Sequence, residues 1–218
     1  MLTLGPHKRI TEEEIGSHGP TDLAVWLFFQ IAAGHIALPI LTATFILART
    51  VTKIPALIIV CLTWILSAVF STLLFYVGEH TGPEPGKGLC IAQASLLGAT
   101  PLMTCSAVIL LAIYVWKTYD DPDLGVDMQP RTRTGKLGKI ALHCSPFFIL
   151  GLFVAIGVTI ALKHPERVTR TQEYFYCSLD WPPFTEAVSI ISTLLCIVAM
   201  GIETLDSFFV PLHSPVSC

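Results

Sequence analysis

Asparagine is missing altogether from the 218 residues, and charge is scarce: Asp, Glu, Lys and Arg make up 13% of the chain, about half the share of an ordinary soluble domain. The first absence removes every N-glycosylation acceptor, so no sequon reports which side of a membrane faces outward. The second excludes a fully solvated surface. The 13 basic and 16 acidic residues form no basic field, so no nucleic-acid partner is expected. The spacings that catalysis and metal binding need are missing too. There is no CxxC, HExxH, phosphate loop or nucleophile–base pair. His7, His18, His35, His80, His143, His164 and His213 are scattered rather than gathered at one depth. The chain is therefore read as no enzyme, with no catalytic residue, metal or cofactor.

What the chain has is apolar length. Hydrophobic residues make up 53%, and the mean hydropathy is +0.68. They are concentrated in five runs: Leu23–Ala48, Ile54–Val77, Leu89–Trp116, Ile140–Leu162 and Phe184–Glu203. Each is long enough to cross a bilayer, which takes about 20 residues. The fold class expected is an all-α polytopic membrane bundle of five transmembrane helices, filling residues 23–205. A polar arm (1–22) precedes it and a short tail (206–218) follows. The first twenty residues are polar, so the first run is expected to serve as the targeting signal.

The third run is the hub. At about 1.5 Å per residue it reaches roughly 42 Å and must tilt. Gln93, Ala94, Leu97, Gly98, Thr100, Pro101, Thr104 and Cys105 share one arc. Small and hydroxyl side chains mark packing faces in lipid. The opposite arc, with Leu96, Ala99, Leu102, Met103, Ile109, Leu110 and Ile113, is expected to face acyl chains. The first run carries Gln30, His35 and Pro39. A histidine in lipid is a functional candidate by default, although a packing histidine bonded to a neighbouring backbone or hydroxyl is the commoner case. Pro39 is expected to kink its helix.

The connections differ in character. Arg49–Lys53 is short enough to force a hairpin of helices. Residues 117–139 open acidic and close basic. Gly125 and Thr132 do not fit a calcium loop. Arg131, Thr132, Arg133, Thr134, Lys136 and Lys139 read as a cytoplasmic, regulatory segment facing anionic lipid. The stretch KHPERVTRTQEYFYCSLDWPPFTE brings Tyr174, Phe175, Tyr176 and Trp181 to a membrane boundary.

Five crossings place Lys8, Arg9, Lys87, Lys163, Arg167 and Arg170 on one side. Arg49, Lys53, Lys117, Arg131, Arg133, Lys136 and Lys139 fall on the other. This small excess favours an outside amino terminus. Cys90 and Cys177 then share the oxidising side, and a disulfide between them is favoured over two free thiols.

A long third span opening with Cys90, tied to Cys177 after the fourth, resembles the first five helices of a seven-helix G-protein-coupled receptor. The phrase FYCSLDWPPFTEAVSIISTLLCIVAMGIETL resembles the matching region of orphan receptor-like proteins of mushroom-forming (basidiomycete) fungi. The resemblance covers Leu23 to about Leu205. It implies a plasma-membrane receptor whose small-molecule or peptide ligand enters from outside, near Gln93, Thr100, Trp181 and His35. It also implies a G-protein partner, although the sequence stops where a receptor's sixth and seventh helices would begin. The alternatives are a structural or adaptor membrane protein and, less favoured, a small-solute transporter. Against the transporter, no internal repeat and no central charged pair is seen, and only His35 and Gln30 argue for it.

Overall fold

The computed structural model describes residues 19–48, 54–79, 85–120, 136–170 and 175–213. Its helices follow the apolar runs, because a backbone in lipid must satisfy its own hydrogen bonds. The first crossing is α1 (Gly19–Phe29), a π-helical stretch (Gln30–Ala37) and α2 (Leu38–Leu47). The expected kink at Pro39 takes the form of these wide turns, with the Leu38 amide donating to the Ala33 carbonyl. Proline offers no N–H and its ring crowds the carbonyl four residues back. A widened turn relieves that crowding.

The second run is not one continuous helix. It forms α3 (Pro55–Ser71) and α4 (Leu73–Val77), separated by Thr72 at φ −95°, ψ 9°. The Thr72 hydroxyl lies 2.9 Å from the Ala68 carbonyl, the back-bonding that bends helices. Gly78, at φ +78°, ends α4. Its amide donates to the Phe75 carbonyl and that of Glu79 to the Leu74 carbonyl, a Schellman close that needs the left-handed residue. By length and hydropathy, four helical segments among the described residues can cross a membrane alone: Thr21–Leu47, Lys87–Trp116, Ile140–Lys163 and Pro182–Thr204. The expectation of five such helices is corrected to four, because the break leaves the fifth, Pro55–Ser71, short.

The hub is α5 (Lys87–Asp120), which packs against α3, α6 (Lys136–Lys163), α7 (Pro182–His213) and both strands of a small hairpin. Its two arcs do not divide into protein and lipid faces as expected. Ala99, Leu102 and Met103 are fully buried, and Leu110 nearly so. Because α6 covers that side, the arc taken as lipid-facing is largely core. A Cβ on Gly157 of α6 would sit 3.3 Å from Ser95 of α5, and one on Gly34 would fall 2.2 Å from Ala68 Cβ of α3. Glycine sets these close approaches.

Between α6 and α7 comes a 3₁₀ turn (Pro165–Arg167), then β1 (Val168–Thr169) paired antiparallel with β2 (Ser178–Leu179). No alternation in the sequence announces these two-residue strands. α7 runs past Glu203 to His213. Large apolar side chains such as Phe148, Leu162, Ile190 and Met200 point outward. Such a surface is an aggregation liability in water and suits contact with acyl chains.

Candidate ligand cleft

Cys90 lies in the first turn of α5 and Cys177 just before β2. They are bridged, with Cα atoms 5.2 Å apart and 87 positions between them in sequence. Both are buried. Gln93, nearly one helical turn on from Cys90, is fully buried. Its Nε2 donates to the carbonyls of Phe70 (3.1 Å) and Ser71 (3.3 Å), and its Oε1 accepts from the Cys177 amide (2.9 Å). One carboxamide thus joins the end of α3, the start of α5 and the hairpin. Arg170, also buried, donates to the Glu79 carbonyl and ties the hairpin to the end of α4.

Beneath this roof a cleft of about 1020 Å³ opens between α5 and α7. Leu97, Gly98 and Pro101 line it from α5, and Glu186, Ser189, Ser192, Thr193 and Cys196 from α7. Trp26 of α1 reaches its rim and stacks 5.5 Å from Phe175. Tyr176, Ser178 and Asp180 contribute from the hairpin. The hydroxyls of Ser178 and Ser192 are buried and have no hydrogen-bond partner among the described residues. Among the described residues, two carboxylates line the cleft and no Lys, Arg or His does.

The four residues expected at a ligand site lie elsewhere. Gln93 has its carboxamide fully engaged in holding the roof. Thr100 donates to the Leu96 carbonyl of its own helix, 2.9 Å away. Trp181 stacks on His164 (4.6 Å between centroids) under the Arg167 guanidinium. His35 places Nδ1 3.0 Å from the Gln30 carbonyl and Nε2 3.4 Å from Thr72 Oγ1, so it bridges the π-helical stretch to the break after α3. None of the four lines the cleft. Beside Trp181, the Glu166 carboxyl is held below its usual range, chiefly by its own backbone amide and then by His164.

Glu186, Ser192 and Trp26 line the cleft and are not among the site residues that the sequence suggests. A signal exists for the first two, since Glu186, Ser189, Ser192, Thr193 and Cys196 recur at helical spacing on one face of α7. Nothing in the sequence brings Trp26 to the hairpin. Of the expected regulatory segment, Arg131, Thr132, Arg133 and Thr134 lie outside the described residues. Lys136 and Lys139 fall in the first turn of α6. Among the described residues no three His, Cys, Asp or Glu side chains are grouped to hold a metal.

The class defined by these features is a polytopic helical membrane protein with a disulfide-bridged hairpin over an interhelical cleft. Comparison with known proteins finds no matching family model, no similar curated protein and no similar solved structure.

Proposed function

We propose that this is a receptor-like protein of the plasma membrane. On this reading the chain crosses the bilayer five times with its amino terminus outside, and it binds an extracellular small molecule in the cleft under the hairpin. The observation that carries the reading is the pair of orphaned hydroxyls on Ser178 and Ser192, two of the residues that line the cleft. Buried polar groups are normally hydrogen-bonded, and an unsatisfied one calls for an explanation. A ligand that supplies both bonds is such an explanation. Asp180 and Glu186, with no basic residue among the described lining, favour a ligand with an apolar body and a cationic or hydrogen-bond-donating head. A G protein remains the partner that the family resemblance suggests.

The test uses the full chain in lipid nanodiscs with a dansylated long-chain amine that keeps a free ammonium, and with its N-acetylated counterpart. The ammonium probe should gain emission on protein-containing discs above that on empty discs. Paired changes Ser178→Ala and Ser192→Ala should weaken binding about tenfold, equivalent to roughly 1.4 kcal/mol. The acetylated probe should bind less well. Equal emission on empty and loaded discs for both probes would remove the reading.

A further inference from the structure

We propose that Cys105 and Cys196 are an oxidant-responsive thiol pair, converted to an interhelical disulfide by lipid hydroperoxides. Their Sγ atoms are 3.4 Å apart, one on α5 and the other on α7, with 91 positions between them in sequence. The free cysteines among the described residues are Cys61, Cys105, Cys144 and Cys196, and only this pair is in sulfur contact. A disulfide needs about 2.04 Å between sulfurs. The gap to close is on the order of 1.4 Å, within the reach of side-chain rotation.

The surroundings select the oxidant. Cys196 is exposed and Cys105 partly so. The neighbours of Cys196 on α7, Leu194, Ile197 and Met200, all point outward in a segment apolar enough to cross a bilayer. On that outer face acyl chains, not water, are the medium, and a charged oxidant or glutathione does not partition there. Hydroperoxides carried on acyl chains do. Two thiols alone also leave a zinc ion two ligands short, and a thiol–thiol hydrogen bond is too weak to need both cysteines.

The reaction is a two-electron oxidation. One sulfur attacks the distal oxygen of the hydroperoxide. An S–O bond forms, the O–O bond breaks, and the departing alkoxide takes the thiol proton to become the lipid alcohol. The second thiol then attacks the sulfenic sulfur. The S–S bond forms, the S–O bond breaks, and hydroxide leaves with the second thiol's proton as water. In sum, two thiols and one hydroperoxide give one disulfide, one lipid alcohol and one water. Cys196 lines the cleft, so the new bond would fix α7 to α5 there while Cys90–Cys177 holds the hairpin over α5.

The experiment compares the full chain in nanodiscs containing phosphatidylcholine hydroperoxide with nanodiscs containing the corresponding alcohol. N-Ethylmaleimide is added after denaturation and incorporation is read by intact mass. With the alcohol lipid, five thiols should react, the seven cysteines less the bridged pair. With the hydroperoxide three should react, and the non-reduced peptide map should contain Cys105 linked to Cys196. In Cys105→Ser and Cys196→Ser the surviving thiol should instead be trapped by dimedone as the sulfenic acid. The unmodified protein's own peptide map keeps the test independent of how these variants fold. Two results would overturn the proposal. One is a count that stays at five, or that falls to four through oxidation of Cys144, exposed on α6, while Cys105 and Cys196 are both alkylated. The other is sulfinic acid at either position with no cross-link.

Discussion

Gln93 shows how one side chain in a bilayer can carry more structure than ligand chemistry. Its two donor bonds take up carbonyls at the C-terminal end of α3, and its acceptor bond holds the amide next to the bridging sulfur. Gln93→Leu keeps the volume and removes all three bonds, which strands the buried Cys177 amide. Leaving a buried donor unmet costs about 1–3 kcal/mol, and the lost bonds add to it. The variant should therefore unfold several degrees lower in detergent, read by thermal melting, whether or not a ligand is present. A Gln93 that served only as a ligand contact would leave the apo melting point unchanged. The sequence places Gln93 on the packing arc of its helix, but does not say which polar group it meets. Its partners come from residues 22 and 84 positions away. His35 follows the same pattern, since Thr72 is 37 positions distant.

At the scale of elements, the helices were legible and their interruptions were not. Charge-free runs announce a crossing because charge is costly in lipid. The break at Thr72 arises from a hydroxyl choosing between its own helix and His35, which no run of apolar residues encodes. The two-residue strands are equally silent, being shorter than any periodic signal. The division of α5 into lipid and protein faces failed because residue type does not count neighbours. The hairpin makes a direct prediction. Reducing Cys90–Cys177 in a free chain would forfeit about 4–5 kcal/mol of loop-closure entropy for 87 residues of separation. Here the helices between the cysteines stay inserted, so the loss should be smaller, about 2 kcal/mol, and confined to the hairpin. Hydrogen exchange should quicken at the amides of Cys177 and Asp180, which are bonded to Gln93 and to the Arg167 carbonyl. Far-ultraviolet dichroism should hardly change. Loss of helix on reduction would mean that the bridge organises the bundle itself.

For the whole molecule, the number of crossings turns on α3 and α4. At about 1.5 Å per residue, the 17 residues of α3 rise roughly 26 Å, short of a 30 Å hydrocarbon core, and the five of α4 add roughly 7 Å. Taken together they span, and the hairpin, its disulfide and the amino terminus share one side. If α3 instead dips in and returns, α5 runs the other way and residues 121–135 join the amino terminus, with the disulfide on the opposite face. The chain's lack of asparagine makes it a clean reporter, since any glycan must come from an introduced site. The changes His7→Asn with Arg9→Thr place an acceptor near the amino terminus, and Asp123→Asn with Gly125→Thr place one between α5 and α6. Expressed in a secretory cell, the first should gain a glycan that peptide N-glycosidase removes, and the second should gain none. Glycans on both would establish four crossings, put Cys90 and Cys177 on the reducing side, and leave the cleft with no opening to the outside.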